Sequence, residues 1–342
     1  MRSALFIVRY GIPGCSGWRG KKFLDRGIQA EKTPVQSRLR VNTCPGGLTA
    51  VHPACTQSLN PCSHIFEPGN DKEVVLMAQD AGSGKEDIPQ RDEAEECFFE
   101  GTALFTVGRY TEAIRMFKKG LETRPRDARF LAALAAAVDR LGFFSHALSL
   151  AGQAAAASPL SPDAWFLRGL ALYRLGDYAG AKDALYQAVA LIPDHAEAWF
   201  FLGNCHYLAG ETGKSLECFD RLLAISGRYP KALYNKGVSL ADLGRYEEAV
   251  EAYRACLDMS PGVAVVLTNL GVALANLGQP EEAIRSFDEA LAIDRRDPVT
   301  WYNKGLALTK LGREKEAMDC FSHYRELAGD RQPGMARQPT FR

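Results

Sequence analysis

The fold class that this sequence predicts is an all-α solenoid of seven helix-turn-helix repeats, and three observations predict it. From Ala94 to Arg331 the 342-residue chain repeats itself every 34 residues without insertion, in copies that start at Ala94, Ala128, Pro162, Ala196, Pro230, Ala264 and Pro298. The fifteenth residue of every copy is glycine: Gly108, Gly142, Gly176, Gly210, Gly244, Gly278 and Gly312. Each copy, as in the stretch from Ala232 to Pro261, places an amphipathic helical pattern on either side of that glycine. Glycine makes up 31 of the 342 residues, so seven in one register is a chance event of order 10⁻⁶, about one in a million, over all frames.

The segment before the repeats divides at Met77. Residues 1–76 are mostly rich in Gly, Pro, Ser and Thr, with nine basic and three acidic residues in 1–70 and no sustained period, which predicts a disordered basic segment. A transit peptide fits that composition; so does translation from an upstream start codon, in which case 1–76 is not part of the native product. Residues 77–93 read as an acidic leader into the first helix. Cys44, His52, Cys55, Cys62 and His64 match no zinc-ligand spacing, and Gly82-Ser83-Gly84-Lys85 lacks both the earlier glycine and the hydroxyl of a phosphate loop. No metal and no cofactor is therefore expected. The longest apolar run near the N-terminus, Ala4 to Val8, is too short for a signal peptide or a membrane span.

Within the array, taken as repeats 94–127, 128–161, 162–195, 196–229, 230–263, 264–297 and 298–331, the turn glycine suits a left-handed backbone between two helices. The eighth residue is Gly101, Ala135, Gly169, Gly203, Gly237, Gly271 or Gly305, and the twentieth is alanine except at Ser215. Small residues at both places predict close approach across the helix pair. Trp165, Trp199, Trp301, Leu233 and Leu267 on first helices, with Phe117, Leu185, Phe219, Tyr253, Phe287 and Phe321 on second helices, are expected to fill the seam. Ser161-Pro162 and Asp297-Pro298 read as N-cap and first-turn proline, while Pro125, Pro159, Pro193 and Pro261 stop second helices.

These residues resemble the tetratricopeptide repeat, whose W-x₂-L-G-x₂-Y…A-x₃-F…P pattern and 34-residue period they follow. The resemblance implies a right-handed superhelix with a concave groove lined by first helices, serving as a scaffold for peptides or partner proteins. Arg325 stands where earlier repeats carry Leu121, Ala155, Val189, Leu223, Leu257 and Leu291, and Glu96 where later ones carry Phe130 or small residues. Both ends thus read as solvated, which predicts a complete array followed by a loose tail, 332–342. Repeat four departs most, with Thr212, Ser215, Leu222 and Gly227, and ordinary drift or a soft joint near Ser226 to Tyr229 both fit.

The groove-facing candidates are Phe166, Phe200, Asn204, Tyr207, Tyr234, Asn235, Asn269, Tyr302 and Asn303. Aromatic rings bury a peptide's apolar side chains and amides bond its backbone. Asn204 and Asn235 fit the amide places of the family's carboxylate clamp, but Phe200, Val265 and Asn269 stand where its cations belong, which disfavours chaperone C-terminal tails as partners. No HExxH, G-x-S-x-G or placeable nucleophile–base pair occurs, so no enzyme activity is expected. His206 reads as a packing or polar surface residue, and Cys205 and Cys256 as buried thiols. The balance of 41 basic and 41 acidic residues and the slightly acidic repeats argue against nucleic acid and membrane partners. Nine cysteines without CxxC pairing fit a reducing, cytoplasmic setting. A protein-interaction scaffold follows; a regulatory or adaptor subunit of a separate enzyme is the alternative, a nucleic-acid-binding helical repeat the weaker one.

Overall fold

The computed structural model describes residues 92–328, so the expectations for residues 1–91 and 332–342 lie outside it. Regular structure in this span consists of helices that pair in the predicted frame. The chain divides into two units, which within the described residues are 92–227 and 228–328. The first holds α1 (Glu93–Thr106), α2 (Tyr110–Thr123), α3 (Ala128–Arg140), α4 (Phe144–Ala157), α5 (Pro162–Leu175), α6 (Tyr178–Leu191), α7 (Ala196–Leu208) and α8 (Thr212–Ser226). The second holds α9 (Pro230–Asp242), α10 (Tyr246–Met259), α11 (Ala264–Asn276), α12 (Pro280–Ile293), α13 (Pro298–Lys310) and α14 (Glu314–Ala328).

In each unit a first helix packs on the second helix of its own repeat, the second helix packs on the first helix of the next repeat, and neighbouring first helices touch. Helix boundaries follow local chemistry. All seven predicted turn glycines adopt left-handed backbone, with φ from 72° to 84°, a region closed to most side chains. Ser161 and Asp297 cap α5 and α13 by accepting backbone N–H bonds, each followed by proline in the first turn. In α3 every residue from Phe130 to Asp139 is buried, and in α11 every residue from Val266 to Ala275, so both helices are apolar nearly all round.

The seam differs in one respect from the expected contact between small residues. The eighth-residue glycine is pressed by the large residue at position twenty-four: a Cβ on Gly203 would sit 2.6 Å from Phe219 Cε1, and one on Gly237 2.5 Å from Tyr253 Cε1. Repeat two reverses the volumes, with buried Ala135 at the eighth place and buried Ala151 at the twenty-fourth. The tryptophans are only half-buried in the seam. Each lies over the preceding loop, where its indole N–H donates to a carbonyl: Trp165 to Pro159 at 2.8 Å, Trp199 to Pro193 at 2.8 Å and Trp301 to Arg295 at 2.9 Å. An amphipathic ring with one polar donor gains both contacts in that position. Glu96 and Arg325 are exposed, whereas Phe130, Ala164, Ala198, Ala232 and Val266 are buried.

Candidate peptide-binding face

On a first helix, positions five, nine, twelve and thirteen share one stripe by helical spacing. In α7 that stripe carries Phe200, Asn204, Tyr207 and Leu208, all half-buried. Phe200 rests its ring on Phe201 at 5.4 Å and Phe219 at 6.3 Å between centroids, so the core fixes its inner side. Phe166, at the same place in α5, is fully buried against His195 at 4.8 Å and Phe201 at 6.0 Å. It is core and offers a partner no surface.

The second unit buries most of its candidates. Asn235 and Asn303 lie inside. Tyr234 is buried against Tyr253, and its Oη accepts a hydrogen bond of 3.1 Å from Asn269 Nδ2, also buried, which joins α9 to α11. Asn269 is thus structural glue between repeats, as a buried amide finds its partners inside. Tyr302 alone of the set in this unit stays half-buried, backed by Tyr324 at 5.2 Å and Phe321 at 5.8 Å. The nine candidates therefore separate into five core residues and four with remaining surface: Phe200, Asn204, Tyr207 and Tyr302.

Two polar groupings escaped the sequence reading. On the stripe of α3 and α5 stand Asp139, Arg140, Tyr173 and Arg174. Asp139 is 7% exposed. Its Oδ1, and Nε and Nη2 of Arg140, are buried without a hydrogen-bond partner. Burial raises the Asp139 carboxyl above its ordinary range, against the pull of Arg174 and Arg140.

The second grouping centres on His206, 2% exposed, whose Nε2 lies 2.8 Å from Tyr186 Oη and whose Nδ1 lies 2.7 Å from Glu211 Oε2. Lys182 reaches the other oxygen of Glu211 at 2.8 Å, and Lys214 stands 3.2 Å away. Hydrogen bonds from Lys182, His206 and Lys214 lower the Glu211 carboxyl to about 2. A signal for this network was present in the sequence. His206 is the eleventh residue of its repeat and Lys182 the twenty-first of its own, and all sister repeats are apolar there: Leu104, Val138, Leu172, Leu240, Leu274 and Leu308, then Ile114, Leu148, Leu216, Val250, Ile284 and Met318. Two polar replacements in adjacent repeats satisfy each other through Glu211.

Cys205 and Cys256 are buried as expected, as are Cys97, Cys218 and Cys320. Burial pushes the thiols of Cys205 and Cys218 up to about 12 and that of Cys256 to about 11, which makes them poor nucleophiles at neutral pH.

Models of the tetratricopeptide repeat match residues 100–142, 137–193, 172–234, 228–296 and 268–331, which together run through the array. The chain belongs to the tetratricopeptide repeat family. A comparison with curated proteins finds no match. Among solved structures, PilF of Pseudomonas aeruginosa is similar with a TM-score of 0.55 at 17% identity, over 65% of this chain and 97% of that one. A tetratricopeptide repeat protein of Parabacteroides merdae gives 0.51 at 14% identity, over 70% and 94%. YrrB, described as a TPR protein with an unusual peptide-binding site, gives 0.50 at 22% identity, over 55% and 97%. At such identities the likeness to these tetratricopeptide repeat structures concerns the fold alone.

Proposed function

We propose that this tetratricopeptide repeat chain is a non-catalytic scaffold that holds a peptide segment of a partner protein against the half-buried stripe of α7. The observation that carries the reading is the row Phe200, Asn204 and Tyr207, where rings and an amide keep surface at one-turn spacing on a helix whose opposite side is packed. Rings rigidly backed by a core bury a partner's apolar side chain with little loss of rotamer freedom, and an amide that keeps surface adds a polar contact to its backbone. Tyr302 offers a comparable ring in the other unit. A cytoplasmic setting fits the unpaired, buried thiols. Among the described residues no helix is long and apolar enough to cross a membrane.

Affinity capture with the full chain tests the reading. Wild type is compared with Phe200→Ala/Tyr207→Ala, with circular dichroism confirming that the helices persist. The variant is expected to lose at least one specifically captured protein. An unchanged set of captured proteins overturns the α7 face.

A further inference from the structure

In the second unit each second helix carries one stripe at spacing i, i+4, i+7 and i+11. In α10 it reads Tyr246, Val250, Tyr253 and Leu257, and in α12 Pro280, Ile284, Phe287 and Leu291. The two middle residues of each stripe are buried, on helices that pack both on their own first helix and on that of the next repeat. Among the described residues α14 packs on α13 alone. Its stripe is Glu314, Met318, Phe321 and Arg325. Met318 is 68% exposed, and Phe321 is half-buried, where Phe287 and Tyr253 are fully buried.

The ends of this stripe carry opposite charges, and both Glu314 and Arg325 are exposed. An acid in the first turn and a base in the last suit the helix macrodipole, and by themselves they make a solvated cap. Met318 does not fit a cap. The same place in repeat three is Lys182, so the fold accepts a charge there. In repeat seven it is instead a thioether chain beside an aromatic ring, which forms an adaptable apolar surface. Tyr302 backs that ring at 5.8 Å and fixes its inner side.

The order acid, apolar, apolar, base is its own complement when reversed. Antiparallel pairing about a two-fold axis between Asp319 and Cys320 sets Glu314 against Arg325 of the second copy and Met318 against Phe321, each contact occurring twice. A parallel pair would align like charges. Residues 329–342 of the same chain, with three arginines and one aspartate, would bring like charge to Arg325. We propose that α14 is a self-association surface, on which a second copy of this chain docks antiparallel through Glu314, Met318, Phe321 and Arg325. The stripe is about 16 Å long, and one helix pair of that length is a small interface, so the dimer is reversible. It is independent of the peptide face on α7, which belongs to the other unit.

Sedimentation velocity of the full chain in reducing buffer, from about 1 to about 200 μM, tests the surface. The mass is expected to rise with concentration toward that of a dimer. Met318→Glu should weaken association at least tenfold. Glu314→Arg and Arg325→Glu each oppose like charges across the axis, and each alone should be monomeric. An equimolar mixture of these two variants regains both cross pairs and should sediment as a heterodimer. All three substitutions alter exposed side chains, and circular dichroism checks that the helices persist. A wild type that stays monomeric throughout overturns the proposal, in favour of residues 329–342 or another protein on this face. Association that all three variants leave unchanged also overturns it, by placing the contact elsewhere. A mixture that stays monomeric where wild type associates overturns the antiparallel pairing.

Discussion

Single residues set how closely two helices approach. Gly203 touches the ring of Phe219, and repeat two makes the opposite choice with Ala135 and Ala151. A methyl group on Gly203 must displace a fully buried ring, an overpacking of about 1–3 kcal/mol, partly offset by the better helix propensity of alanine, about 1 kcal/mol. Gly203→Ala is therefore expected to destabilise the wild type but to be neutral or stabilising in a Phe219→Ala background. Urea denaturation of the two single variants and the double closes that cycle. Full additivity would contradict the contact. The eighth-position glycines were legible in the sequence; their partner was not, because a repeat period does not say which residue of the facing helix fills the space.

At the scale of elements, α6, α7 and α8 are tied by a polar network in which Lys182 and His206 stand where sister repeats carry apolar side chains. Lys182, His206 and Lys214 together hold the Glu211 carboxyl at about 2, below the ordinary glutamate value of about 4.3. A depressed carboxyl contributes stability that is fully present above its unfolded-state value and is lost as pH falls through the folded one. Glu211→Gln should thus lower the melting temperature at pH 7, and the gap from wild type should close between about pH 4 and about pH 2. Melting curves of the two proteins across that range check it; a gap constant down to pH 2 would exclude the ionised network. Contact between neighbouring first helices makes core of site candidates in the second unit. Tyr234 on α9 meets Asn269 on α11 at 3.1 Å, so a residue read as facing a partner instead meets the next repeat.

At the scale of the molecule, each unit is a chain of nearest-neighbour interfaces, and stability should add up along it. Phe117 and Phe219 are both fully buried, in repeats one and four of the unit 92–227, with two whole helix pairs between them in sequence. Each substitution to alanine should cost about 3–5 kcal/mol if unfolding of the unit is cooperative. The double variant should equal the sum within about 0.5 kcal/mol. Calorimetry or denaturant titration gives the comparison, and a strong coupling between the two sites would mean that the repeats do not act as independent neighbours.

The sequence by itself determined the repeat frame, the helix pairing, the left-handed turn at each fifteenth-residue glycine and the buried seam. All of these depend on residues within one repeat or on its immediate neighbour, and seven copies restate them. Only the tertiary structure decided which inner-face residues keep surface. Phe166 and Phe200 share a position, yet one lies inside, against His195 and Phe201, and the other half outside, a difference that the position in the repeat does not state. The unpaired edge of Arg140 beside buried Asp139 was equally invisible, since a missing partner is defined by every side chain around it.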